Sequence, residues 1–325
     1  MIRARAVADG RELGRRLRDR DLTAASAALN LIESRAPDAL AQAAALLAEV
    51  SPASLGGEAS GHIVGVTGPP GVGKSSLLSR LVAHWRSQGR SVAVLAVDPS
   101  SRRSGGSLLG DRARIDTDPK DRAVFIRSTA AGSRLGGLAP ATRAAAEALA
   151  AAFDVVVIET VGVGQSETEI ADAADTVAVV LQPASGDVLQ FLKAGIMEVP
   201  DVLVLTKTDL GAVATRAMVD LRAALLALGA SSTEVCAVSS VPPATGIAEL
   251  AQALDAHRAA LDLPDRRRRA RRRHALENFA IEHGERGLRA LGGRVQAERW
   301  LNDQDPDLAV PELERALVDH AGSLG

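Results

Sequence analysis

The sequence predicts a doubly wound α/β fold, built on one mostly parallel sheet and extended by helices at both ends. Three observations predict it. Seven short apolar runs recur between His62 and Val238, most of them separated by helix-length segments. These runs are continuously apolar rather than alternating, as befits strands buried on both faces of a parallel sheet. A glycine-rich turn follows the first run directly and opens a helical segment.

Taken in order, residues 10–50 read as helices. Leu13, Leu17, Leu22, Ala25, Leu29 and Ile32 recur at roughly helical spacing, and a second Ala/Leu helix runs from Pro37-Asp38 to about Val50. Residues 51–61 form a Pro/Gly/Ser linker. The strands are then expected at His62–Thr67, Ser91–Val97, Ala123–Arg127, Asp154–Glu159, Thr176–Leu181, Val202–Thr206 and Glu234–Val238. A last helical region opens at Pro264-Asp265, carries Leu276, Phe279, Ile281 and Leu288 as a partial apolar stripe, and breaks at Gly292-Gly293. The expected organisation is a helical extension over 1–60, an α/β domain over 61–262 and a helical segment over 263–325. No internal repeat is visible.

Composition narrows the function classes. Aromatic residues are 2% of the 325 and Tyr is absent, so Ala, Leu and Val must build the core. A net charge of −2 argues against a nucleic-acid partner. A single cysteine, Cys236, excludes an intramolecular disulfide and a cysteine-based zinc site, and its neighbours Val235 and Ala237 suggest a buried, inert thiol. No apolar run approaches the ~18 residues a membrane span needs. The Arg-bearing first ten residues lack the apolar core of a signal peptide, so the cytoplasm is expected.

Gly68-Pro69-Pro70-Gly71-Val72-Gly73-Lys74-Ser75 fits G-x-x-x-x-G-K-[ST] without a mismatch, between a strand and a helix. This makes the predicted fold that of a P-loop NTPase. Glycines let backbone N–H groups turn inward around phosphate oxygens, and the helix start adds its positive dipole end. Lys74 is expected on the β/γ-phosphates, the Ser75 hydroxyl on Mg²⁺, and Ser76 in the same phosphate-binding turn. Downstream, Thr206-Lys207-Thr208-Asp209 resembles the N-K-x-D guanine motif. An Asp there can accept hydrogen bonds from guanine N1–H and N2–H₂, a donor pair adenine lacks, while the Lys207 stem packs on the base face. Thr206 stands where Asn is usual, which puts some loop-bracing contacts in question. An exposed Lys/Asp turn is the alternative reading. Ser239, in Val238-Ser239-Ser240, resembles the last guanine loop.

Further motifs lie at strand ends: Asp98-Pro99-Ser100-Ser101, Gly105-Gly106-Ser107-Leu108-Leu109-Gly110-Asp111, and Glu159-Thr160-Val161-Gly162-Val163-Gly164-Gln165-Ser166. With the phosphate loop and Lys193–Glu198, they resemble the MeaB/ArgK-type G-protein chaperones of adenosylcobalamin-dependent acyl-CoA mutases, over roughly residues 20–255. The resemblance implies a GTPase that cycles between GTP and GDP with Mg²⁺ and couples nucleotide state to cofactor loading and protection of a mutase, methylmalonyl-CoA mutase by default. By it, Asp98, Asp111 and Glu159 are the metal and catalytic-water acids. Gly162 and Gln165 sit in the second switch, and Arg127–Gly137 is a further loop that senses the partner. The family's G-D-K-T-R-M is Gly110-Asp111-Arg112-Ala113-Arg114-Ile115 here, so Asp111 alone is carried over. No arginine finger is assigned among Arg102, Arg103, Arg112 and Arg134. The resemblance also implies a homodimer formed through the C-terminal helices.

The run Arg266–Arg273, seven arginines in eight residues, is read as the solvated first turns of a long helix. Asp262, Asp265, Glu277, Glu282 and Glu285 are near enough to pair with it, and RNA or an acidic partner is the alternative. Rival functions are a nickel-delivering metallochaperone GTPase, an ATP-dependent amino-acid kinase or transport ATPase, and a binding module with a vestigial phosphate loop.

Overall fold

The structure, a computed structural model, describes residues 8–98, 115–130, 138–160, 166–183 and 200–323; for 98, 130 and 166–168 it describes the backbone alone. The chain forms two compact units. One comprises His62–Ala139 and Phe153–Leu261, the other Met1–Gly61, Pro140–Ala152 and Asp262–Gly325.

The first unit is built on a parallel sheet of β1 (His62–Thr67), β2 (Val92–Asp98), β3 (Val124–Ala130), β4 (Val155–Glu159), β5 (Thr176–Leu181), β6 (Val202–Leu205) and β7 (Glu234–Ala237). The order is β3-β2-β4-β1-β5-β6-β7, and every pairing is parallel. Every expected strand is present, with ends shifted by a few residues at most. β1, β5 and β6 are buried along their whole length. Each fully buried Val or Leu contributes about 1.5–3 kcal/mol, so a sheet covered on both faces selects an unbroken apolar run. β7 sits at the edge and buries only Cys236. Burial pushes the Cys236 thiol up to about 11, helped by Glu234 and Glu249, which fits an inert thiol.

Aspartates fix the amino ends of the strands. Asp154 Oδ2 accepts from Ser91 N at 2.7 Å, Asp175 Oδ2 from Ile63 N at 2.8 Å, and Asp201 Oδ2 from Val177 N at 2.8 Å. Each carboxylate satisfies an amide that the ladder leaves over, which pins register where the sheet begins. The first helix after β1 is α5 (Lys74–Ser87), which buries Leu77, Leu78, Leu81, Val82 and Trp85 on one side. These pack with Val64, Val66, Val92 and Val94 of the sheet and with Leu250 and Leu254 of Ile247–Ala260.

The second unit is helical. Its early part holds α1 (Gly10–Arg18), α2 (Ala25–Ile32), α3 (Pro37–Glu49) and α4 (Pro52–Leu55); α6 (Pro140–Ala150) joins them from between β3 and β4. α1 and α3 cross closely: a Cβ at Gly10 would lie 1.8 Å from the Gln42 carbonyl oxygen. Following α7 (Ser166–Ala173), α8 (Ala212–Ala227) and α9 (Ile247–Ala260) of the first unit, the helical unit resumes with α10 (Leu263–Ala290), α11 (Arg294–Asn302) and α12 (Val310–Ser323). Asp262 caps α10, accepting from Asp265 N at 3.1 Å. Leu276, Phe279, Leu288, Leu301, Leu313 and Leu317 form a core among α10, α11 and α12. Among the described residues no helix is long and apolar enough to cross a membrane.

The arginine run is not a uniformly solvated face, which corrects the sequence reading. Arg267 and Arg271 are 9% and 7% exposed. Arg267 donates from Nη1 to the Ala59 carbonyl and from Nη2 to the Gly61 carbonyl, both at 2.6 Å. Arg271 forms a two-pronged pair with Glu58, both contacts at 2.9 Å, and reaches the Pro306 carbonyl at 2.9 Å. The planar fork thus serves carbonyl and carboxylate groups of the linker. Arg269, paired with Asp265, stays exposed as expected. Glu277, expected near the run, pairs instead with Arg143 at 2.7 Å.

Candidate functional site

The carboxyl ends of β1, β4, β5, β6 and β7 bring the candidate residues to one edge of the sheet, the side on which doubly wound sheets bind ligands. β1 delivers the turn Gly68–Gly73. Gly68 has φ 145° and lies so near β5 that a Cβ there would sit 2.2 Å from the Val180 carbonyl oxygen. Gly71 and Gly73 have φ 78° and 96°, and an added Cβ would meet nothing within 4 Å. At these two positions the turn therefore faces open space, while Val72 between them is fully buried. Pro69 is half-buried and Pro70 exposed on the turn's rim. α5 begins at Lys74 with no side chain capping its first turn, and Ser76 lies exposed there. Amides of an uncapped helix start facing an open glycine turn fit phosphate oxygens.

Lys74 is 6% exposed, and its Nζ donates to the carbonyls of Gly68 at 2.7 Å and Pro69 at 3.0 Å. The ammonium is thus held inside the turn. Ser75 Oγ donates to Glu159 Oε1 at 3.1 Å, joining the start of α5 to the end of β4. A hydroxyl and a carboxylate this close are the hard oxygen donors that Mg²⁺ takes, so the residues fit that ion. β2 ends at Asp98, paired with Ala130 in the backbone ladder, while β2 also flanks β4. The Asp98 side chain, Asp111, Gly162 and Gln165 lie outside the described residues, as do Arg102, Arg103, Arg112, Lys193–Glu198 and residues 131–137, Arg134 among them; Arg127, expected to open that last loop, instead lies within β3, which runs on to Ala130.

Thr206, Lys207, Asp209 and Ser239 converge. Thr206 is 2% exposed, and its Oγ1 lies 2.7 Å from the Val72 carbonyl oxygen and 2.9 Å from that of Leu181. Its single proton is shared between these two acceptors. The hydroxyl thus ties the Thr206 loop to the turn at Val72 and to the end of β5. Lys207 adopts φ 54°, and its Nζ donates to the Gly71 carbonyl at 3.0 Å and to Gln182 Oε1. Asp209 is exposed, and its Oδ1 accepts from Ser239 Oγ at 2.8 Å. Ser239 is itself held by paired backbone bonds with Thr245 at 3.0 Å. Thr208 N donates to the Val238 carbonyl at 3.3 Å. Gln182 is the site residue that sequence reasoning did not single out: no motif contains it, and its partner is 25 positions away.

The family model described as methylmalonyl Co-A mutase-associated GTPase MeaB matches residues 25–287. The chain belongs to the MeaB family of P-loop GTPases. A Pyrococcus abyssi relative named as a GTPase is 41% identical over 247 residues, 73% of each chain. One from Pyrococcus horikoshii, also named as a GTPase, is 45% identical over 199 residues, 61% of this chain and 60% of its own length. The Caenorhabditis elegans methylmalonic aciduria type A homolog is 42% identical over 197 residues, 57% of this chain and 49% of its own. This MeaB-family chain thus spans about half to three quarters of the length of these relatives. A solved structure, that of a LAO/AO transport system kinase, is similar over 97% of this chain and 98% of its own, with a TM-score of 0.65 at 27% identity.

Proposed function

We propose that this MeaB-family protein hydrolyses GTP to GDP and phosphate, and that an adenosylcobalamin-dependent acyl-CoA mutase reads which nucleotide it holds. The observation that carries the reading is the direct tie between the two halves of the site: Thr206 Oγ1 to the Val72 carbonyl at 2.7 Å. It places the Asp209 loop and the Lys74 turn in one frame, as selection of a guanine nucleotide by base and phosphate together requires.

In this reading Lys74 and the amides of Gly71–Ser76 take the phosphate oxygens and offset the charge that spreads over them as the terminal phosphoryl group leaves. Asp209 accepts from the guanine edge. Ser75 and Glu159, with Asp98 and Asp111, would hold Mg²⁺, and the ion would supply charge neutralisation on the phosphates. Glu159 and Gln165 act on the attacking water, and Gly162 and Gln165 belong to the second switch near the terminal phosphate. Release of phosphate relaxes the Asp98–Asp111 and Glu159–Gln165 loops, and the mutase senses that change.

The mutase partner, methylmalonyl-CoA mutase by default, is supported by the family description and by the name of the Caenorhabditis elegans relative. Control of cofactor loading and mutase protection, a homodimer formed through the C-terminal helices, and a cytoplasmic site of action belong to the same proposal. The test is steady-state hydrolysis of GTP and ATP, with and without methylmalonyl-CoA mutase. Preference for GTP with acceleration by the mutase supports the whole reading. Preference for GTP without acceleration removes this mutase and leaves the GTPase. Preference for ATP overturns the role of Asp209.

A further inference from the structure

The end of β5 touches both halves of the site at three successive residues. The Val180 carbonyl lies against Gly68, the first residue of the phosphate turn. The Leu181 carbonyl accepts from Thr206 N at 2.9 Å and lies 2.9 Å from Thr206 Oγ1. Gln182, next in the chain and half-buried, turns its amide oxygen to the Lys207 ammonium. β5 pairs with β1 on one side and β6 on the other, so this strand end is fixed in register to both loops.

Lys207 has reason to need such a partner. Its backbone is in the left-handed region, with φ 54°, which a non-glycine residue holds only when its surroundings impose it. Its four-carbon stem can lie flat on a purine only if the ammonium at the far end is tethered, because a free lysine samples many rotamers. Two oxygens do the tethering. One is the Gly71 carbonyl, which any residue at 71 would provide. The other, Gln182 Oε1, is specified by the side chain.

We propose that Gln182 is a positioning residue for base selection: by holding the Lys207 ammonium it sets the Lys207 stem, and through the same loop the Asp209 carboxylate, in the geometry that receives the purine. This rests on the guanine-nucleotide reading above. Gln182 contacts the Lys207 ammonium, so its removal is expected to weaken base recognition and to change phosphate recognition little.

The experiment compares full-length wild type with Gln182→Ala and Gln182→Glu. Each is titrated with GDP, ADP and inorganic tripolyphosphate, and circular dichroism checks folding. Loss of a hydrogen bond to a charged group typically costs about tenfold or somewhat more in affinity. The expected result is about a tenfold weaker Kd for GDP in Gln182→Ala, with the tripolyphosphate Kd within twofold of wild type. Gln182→Glu keeps an oxygen acceptor for Lys207 and should recover most of the GDP affinity. If Gln182→Ala is poorly folded, Gln182→Glu against Gln182→Met gives the same contrast. The proposal is overturned by a wild-type GDP Kd in the alanine variant, by equal weakening of GDP and tripolyphosphate, or by no recovery with glutamate. A wild-type protein that prefers ADP over GDP overturns the guanine reading itself, a failure seen without any variant.

Discussion

Thr206 and Val72 join the two loops of the site: the threonine hydroxyl lies 2.7 Å from the valine carbonyl oxygen, and both residues are buried. Thr206→Val keeps the shape and removes the proton. One neutral hydrogen bond contributes about 1 kcal/mol net, and the stranded carbonyl costs somewhat more. The expected outcome is a five- to tenfold loss of GDP affinity, read by fluorescence titration of a labelled nucleotide. An unchanged affinity would mean that the hydroxyl braces nothing.

Lys74 is held inside the phosphate turn by two carbonyls. In the proposed mechanism Lys74→Ala removes the charge that meets the developing phosphate charge, and such groups account for about 10²- to 10³-fold in rate. Phosphate release from GTP should fall by at least that factor in the purified protein. GTP hydrolysis at the wild-type rate would remove Lys74 from the mechanism.

Arg271 and Glu58 pair in two-pronged fashion with side-chain exposures of 8% and 11%. Breaking a buried pair from one side costs about 3–5 kcal/mol, because the remaining charge stays buried. Arg271→Met should therefore be strongly destabilising in chemical denaturation. Arg271→Met combined with Glu58→Leu should recover much of that loss. A double variant no more stable than the single one would contradict this account of the arginine run.

Glu314 is pushed up to about 7, from an ordinary 4.5, chiefly by burial and further by Glu282 and Glu147, against an Asn278 amide that pulls it down. The sign follows from proton counts. Between about pH 4.5 and pH 7 the unfolded chain has released this proton and the folded chain keeps it, so the stability it contributes falls as pH rises. Glu314→Gln cannot ionise. It should match wild type near pH 4.5 and exceed it by about 3 kcal/mol at pH 8. Melting curves at the two pH values decide this; equal shifts at both would exclude titration as the cause.

Cys236 is 7% exposed with its thiol near 11. At pH 8 only about one such thiol in a thousand is ionised, and the thiolate is the reactive form. A disulfide reagent should leave the native protein unmodified for hours and react within minutes once it is denatured. Rapid labelling of the native state would place Cys236 outside the core.

The sheet was legible because a parallel strand buried on both faces writes its burial into consecutive residues, as in Val155-Val156-Val157-Ile158. The phosphate turn was legible because glycine, lysine and serine at fixed offsets each answer a separate physical demand. The roles of Arg267 and Arg271 were not: their partners lie 206 to 213 positions away for Gly61, Ala59 and Glu58, and charge along a helix carries no mark of which arginines bury. α6 reads as an ordinary Ala-rich connection between strands, and nothing local assigns it to the helical unit. Gln182 escaped for a similar reason. A single amide after a strand is a common thing, and only the fold brings Lys207 to it.

The partners that Arg271 and Arg267 complete impose a schedule on synthesis. Glu58 leaves the ribosome 213 residues before Arg271. At about 5–20 residues per second, that is roughly ten to forty seconds during which the early helices wait without the side chains that neutralise their linker. The sheet unit, whose strands close by residue 237, has its material first. Birth order therefore lets the strands of the sheet pair before the helical unit, whose pieces lie before, within and after the sheet's sequence, has all its parts.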